Sequence, residues 1–132
     1  MAFEQVGTGI MIPGLKAAAD LSAKKYRFVK LSAAGEVDVC SGATDKPIGV
    51  LQNAPTSGQV AEVLAFGISK VEADAALSAG ALIGTSADGQ ADAKTPGTDT
   101  TEYVVGTVLT ATGAAAGLAS CLINCMNVHR GA

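Results

Sequence analysis

Residues 26 to 40 run Tyr26-Arg27-Phe28-Val29-Lys30-Leu31-Ser32-Ala33-Ala34-Gly35-Glu36-Val37-Asp38-Val39-Cys40. From Glu36 to Cys40, polar and apolar residues alternate strictly, the period-two pattern of a strand with one face buried. Tyr26 to Leu31 is rich in aromatic and β-branched residues and reads as a second strand, with Ala34-Gly35 as the turn between them.

The same grammar continues outward. Ile48-Gly49-Val50-Leu51 is an apolar strand, Pro55-Thr56-Ser57-Gly58 is a turn, and Val60 to Phe66 returns as a strand. Gly67 and a further strand, Ile68 to Val71, follow. Ala73 to Ala79 predicts one short helical turn, stopped by Gly80. Leu15 to Ala23 fits a short helix on alanine propensity, or equally a turn before the first strand. Residues 1 to 14 hold Gly7, Gly9, Pro13 and Gly14 among Phe3, Val6, Ile10, Met11 and Ile12, which predicts an extended apolar arm. The expected fold is therefore all-β: a small barrel, β-tulip or sandwich of short strands, with residues 15 to 132 as one domain behind the arm.

Three blocks recur in order. Leu21-Ser22-Ala23 returns as Leu77-Ser78-Ala79, and Ser32-Ala33-Ala34-Gly35-Glu36-Val37-Asp38 as Ser86-Ala87-Asp88-Gly89-Gln90-Ala91-Asp92. Ile48-Gly49 with Ala54 returns as Val105-Gly106 with Ala111. The spacing predicts two related β units, about residues 21 to 66 and 77 to 123.

Composition narrows the function. Ala and Gly supply nearly a third of the chain and aromatics only 4%, so the core is thin. Charged residues are 16% against a typical ~25%, which suggests a surface covered by copies of itself or by a partner. The net charge of −3 argues against binding nucleic acid through phosphate neutralisation. Lys24-Lys25-Tyr26-Arg27 with Lys30 is a local basic strip, better read as an exposed strand face. Three cysteines without a secretory signal fit reduced thiols and synthesis in a cytoplasm. Tyr103 to Val128 holds no charge and is long enough to span a bilayer. Thr112-Gly113-Ala114 divides it into two strand-length pieces, so no membrane association is expected.

The residues for catalysis are sparse. His129 is the single histidine, in a terminal tail that suits a Ser or Cys triad poorly. Cys121, Cys125 and His129 share a four-residue spacing that could bind metal on a helix. On a strand, Cys121 and Cys125 are small buried hydrophobes instead, and this reading is preferred. Gly7-Thr8-Gly9 with Gly14 lacks the preceding strand and following Lys of a phosphate loop. Asp88, Asp92 and Asp99 sit in turn-rich stretches without the aromatics of a sugar cleft. No enzymatic activity, cofactor or metal is expected.

Asp45-Lys46-Pro47-Ile48-Gly49-Val50-Leu51, then Ala54, Ser57-Gly58, Val60, Val63 and Gly67, resembles the small capsid decoration (capsid cement) proteins of tailed bacteriophages. Ala79-Gly80-Ala81-Leu82-Ile83, Asp88-Gly89 and Gly106 extend the resemblance over roughly residues 15 to 128. It implies a structural virion protein on the outer capsid surface. Such a protein, often a trimer, bridges and stabilises major capsid subunits. Phe3, Val6, Ile10, Ile12 and Pro13 are the expected capsid contacts, flanked by Lys24, Lys25 and Arg27. The alternatives are a barrel-sandwich carrier or enzyme domain, or a phage tail or fibre-base component. For a carrier, neither Lys70 nor Lys94 lies in the expected sequence context.

Overall fold

The structure, a computed structural model, describes residues 9–132. Every regular element among them is a strand: β1 (Ile10–Ile12), β2 (Lys16–Ala17), β3 (Phe28–Ala33), β4 (Glu36–Val39), β5 (Gly49–Leu51), β6 (Val63–Glu72), β7 (Leu82–Thr85), β8 (Ala91–Ala93), β9 (Tyr103–Val104), β10 (Gly106–Thr110), β11 (Leu118–Asn124) and β12 (His129–Arg130). One ten-stranded sheet runs β2-β4-β3-β5-β6-β11-β10-β7-β8, with β1 added to β6, while β9 and β12 pair by themselves. Its strand path ends at β2 and β8 without closing into a barrel, so among the expected all-β forms the molecule is sandwich-like.

The deciding hairpin forms where the alternation places it. Val29 lies opposite Val39 and Leu31 opposite Val37, and Gly35 turns the chain at φ 74°. Cross-strand burial of Val29 and Val37 holds the register, because a one-residue slip would turn both into solvent. β3 begins later than expected, at Phe28, since Tyr26 adopts φ 66° and cannot continue a strand. The two strands expected on either side of Gly67 are one, β6, which passes through that glycine at φ 139°.

The expected helical turn at Ala73 to Ala79 is absent. Ala73 bridges Ala91 and Leu77 bridges Thr112. Their backbone groups are committed to distant chain: the Asp74 N–H donates to the Ala91 carbonyl and the Leu77 N–H to the Thr112 carbonyl. A helix shorter than two turns gains little from alanine propensity, so long-range pairing wins. Leu15 to Ala23 is likewise not helical. β2 pairs in parallel with β4, and the Ala18 N–H donates to the Val37 carbonyl.

The pairing pattern runs twice along the chain. β3 forms a hairpin with β4 and pairs β5, which pairs the start of β6. β7 forms a hairpin with β8 and pairs β10, which pairs β11. Individual bonds repeat too. The Cys40 N–H donates to Phe28 as that of Lys94 does to Leu82, and the Tyr26 N–H donates to Leu51 as that of Gly80 does to Val108. Left-handed backbone recurs in step at Tyr26 and Gly80, Gly35 and Gly89, and Gly58 and Ala116. Each run has its own buried cluster, Leu21, Val29, Leu51 and Val63 in the first and Leu77, Ile83, Val108 and Cys121 in the second. The runs extend from about residue 10 to 66 and from 66 to 124, with β6 shared between them.

Candidate interaction surface

β6 and β11 are antiparallel neighbours at the middle of the sheet. Gly67, Ser69 and Val71 face the core with Ile123, Cys121 and Ala119, so Phe66 and Ile68 must face outward with Asn124 and Leu122. β1 adds Ile10 opposite Phe66, and a register shift after Ile10 puts Met11 opposite Leu64 on this same face. The result is an apolar strip across three strands. Ile10, Met11, Phe66 and Leu122 are each more than 40% exposed, which is high for large hydrophobic side chains in mid-sheet.

Beyond Leu122 the strip opens into a cleft of about 240 Å³, floored by Leu82, Gly106, Thr107 and Leu122 and rimmed by Asn124, Asn127 and His129. His129 is the one titratable group lining it. The cleft thus offers apolar area with a few amide and hydroxyl partners. Its lining contains no acid–base pair and no nucleophile with an adjacent base.

The expected contact residues fall into three sets. Phe3 and Val6 lie outside the described residues. Ile10 is exposed in β1, whereas Ile12 is half-buried against the first cluster and Pro13 is exposed in the turn that follows. Ile10 to Ile12, expected within the arm over residues 1 to 14, are instead paired with β6 as β1, and residues 1 to 8 of that expected arm lie outside the described residues. Lys25 is exposed with its ammonium 4.9 Å from the Tyr26 ring centre, and Lys24 is half-buried.

Arg27 does not join them. Its guanidinium lies 2.8 Å from Glu72 and donates to the Asp88 carbonyl at 3.2 Å, binding the first half to the second. Gln90 donates to the same Glu72 carboxylate. Lys30 is held 2.9 Å from Asp45, which also accepts the Ser41 and Gly42 N–H groups. Burial opposes ionisation of Asp45. The Lys30 hydrogen bond and these N–H donors prevail and hold its carboxyl below the ordinary value. Two members of the basic strip, Arg27 and Lys30, are thus committed to separate internal partners.

Cys121 is fully buried on β11. Cys125 lies just past the strand end, half-buried, with its N–H donated to the Ala65 carbonyl. Burial pushes the thiols of Cys40, Cys121 and Cys125 up to about 12, so they are protonated at neutral pH and poor ligands or nucleophiles. Among the described residues no three His, Cys, Asp or Glu side chains gather as a metal site. No helix among them is long and apolar enough to cross a membrane.

One polar feature has no local signature in the sequence. Lys94, considered above only as a carrier lysine, has a fully buried side chain paired with Glu102 and, at 3.4 Å, with Asp92. Nothing local in Ala93-Lys94-Thr95-Pro96 signals this, since Glu102 reaches it only through the fold of the intervening loop. The candidate surface is consequently the apolar strip and its cleft, while the buried charges brace the scaffold. No family model matches the chain, and no curated protein sequence does. Among solved structures, its fold is similar to "head fiber gp8.5 N base in bacteriophage phi29", with a TM-score of 0.65 and 16% identity over 92% of this chain and all of that one.

Proposed function

We propose that this chain is a structural, non-enzymatic component of a phage virion, acting by surface contact on the head. The observation that carries this reading is the similarity of fold, over nearly the whole of both chains, to the base of a phage head fibre. The exposed apolar strip supports it. In this reading the protein sits on the outer capsid surface. Ile10, Met11 and Phe66, together with Phe3 and Val6, bury apolar area against major capsid subunits and bridge them. At about 25 cal/mol per Å², a few such side chains supply useful affinity once several copies act together.

The test is to mix the full chain with expanded, undecorated capsids and measure co-sedimentation. Saturable binding that weakens at least tenfold in Phe66→Lys is expected, and failure to co-sediment with any capsid would sink the proposal. A second reading, the base of a head fibre, is favoured by the same fold similarity. Electron microscopy of decorated particles separates the two. A cement protein covers the capsid lattice, whereas a fibre base lies beneath a projecting density.

A further inference from the structure

We propose that the open face of the second half binds the first half of another copy of this chain, head to tail, repeating between molecules the contact the two halves make within one. Equivalent positions in the two halves differ in exposure. In the first half Phe28 and Val50 are fully buried and Leu64 is 4% exposed, and Phe28 and Val50 belong to the second half's cluster. The turn between β7 and β8 covers this face. The Gly89 carbonyl accepts the Phe28 N–H at 2.7 Å, and a Cβ on Gly89 would lie 2.5 Å from a Val39 methyl. Thr85 and Ser86 beside it are buried, and Thr85 is hydrogen-bonded with the Cys40 thiol.

In the second half the places of Phe28, Val50 and Leu64 are taken by Leu82, Thr107 and Leu122. These three line the cleft, with Leu122 42% exposed. Conversely, the places of Thr85, Ser86 and Gly89 are taken in the first half by Leu31, Ser32 and Gly35. All three are exposed, Leu31 at 55%, and a Cβ on Gly35 would meet nothing within 4 Å. One end of the molecule thus presents the covering turn, with an apolar Leu31 where the internal version has threonine. The other end presents the face that such a turn covers. A second copy is the occupant because this chain already builds both sides of the contact and joins them once. Two different faces meeting make a heterologous interface, which closes into a ring or extends as a filament.

The test uses two full-length variants, Leu31→Asp and Leu122→Asp, each damaging one face. Both positions are at the surface, and circular dichroism with unfolding midpoints verifies that the variants fold. Leu31→Ser and Leu122→Ser replace any that does not. By sedimentation velocity the wild type is expected to form trimers or larger assemblies at high micromolar concentration, and each variant alone to be monomeric. An equimolar mixture is expected to form dimers and nothing larger, since one intact pair of faces survives in every two chains. A monomeric wild type, single variants that assemble like wild type, or a mixture that stays monomeric would each overturn the proposal. So would dimers that stop at two in the wild type, the mark of a two-fold contact.

Discussion

Cys121 illustrates how much a single position depends on the layer it faces. Its side chain is fully buried, opposite Val108 on the neighbouring strand, and Val63, opposite Leu51, occupies the matching place in the first half. Cys121→Val is therefore expected to cost less than about 1.5 kcal/mol, as a near-isosteric apolar exchange. Cys121→Asp is expected to cost more than about 3 kcal/mol, because a charge would enter that layer without a partner. Urea unfolding of both variants checks the contrast. Asp45 carries a pH dependence of known sign. Its folded carboxyl lies below the ordinary value, so its contribution is complete above the unfolded carboxylate range near about 4 and drains as pH falls through the lower folded value. Asp45→Asn is expected to lower stability at neutral pH and to flatten the acid limb, read from urea midpoints across that range.

At the level of elements, the two hairpin turns form a controlled pair. Gly35 and Gly89 both have left-handed backbone, at φ 74° and 82°, so alanine at either is strained by about 1–2 kcal/mol. Only at Gly89 does an added methyl also meet Val39 and the Phe28 carbonyl. Gly89→Ala is thus expected to lower the thermal midpoint clearly more than Gly35→Ala, and the difference measures the contact between the halves. The loop from residue 95 to 102 is held by the Lys94–Glu102 pair against β7 and β8. Glu102→Gln should cost on the order of 2–4 kcal/mol, since the Lys94 side chain remains buried with only Asp92 for a counter-ion. Adding Lys94→Met is expected to recover part of that loss in a double-mutant cycle.

For the whole molecule, two faces have separate roles. The strip at Ile10, Met11 and Phe66 is assigned to the capsid, and Leu31 with the Leu82–Leu122 cleft to neighbouring copies. Removal of residues 1 to 8 is expected to leave the described fold intact, while removal of residues 1 to 14 also deletes β1 and uncovers Leu64 and Val63. Capsid co-sedimentation and unfolding midpoints of the two truncations should therefore diverge. The shorter one loses binding alone, the longer one loses stability as well.

The strand-rich class follows from local pattern, because period-two alternation and glycine turns act over a few residues. Glu36 to Val39, Gly35 and Gly89 were legible for that reason, as was the division of Tyr103 to Val128 into strands around a central turn. The recurring Ser32 to Asp38 and Ser86 to Asp92 blocks mark hairpins that hold matching places in the sheet. Ala73 to Ala79 departs from its helical propensity because its backbone partners, Ala91 and Thr112, lie far along the chain, and propensity sees only neighbours. The candidate surface needed the tertiary structure for the same reason. Register alone tells which of Phe66, Ile68 and Leu122 face outward together, and the packing of one half on the other decides that Phe28 is buried while Leu82 is not. Arg27 fits an exposed strand face by sequence, yet the fold brings Glu72 to it, as it brings Glu102 to the buried Lys94. Pattern within a strand is a local property, whereas which of two similar faces is covered depends on what the rest of the chain can reach.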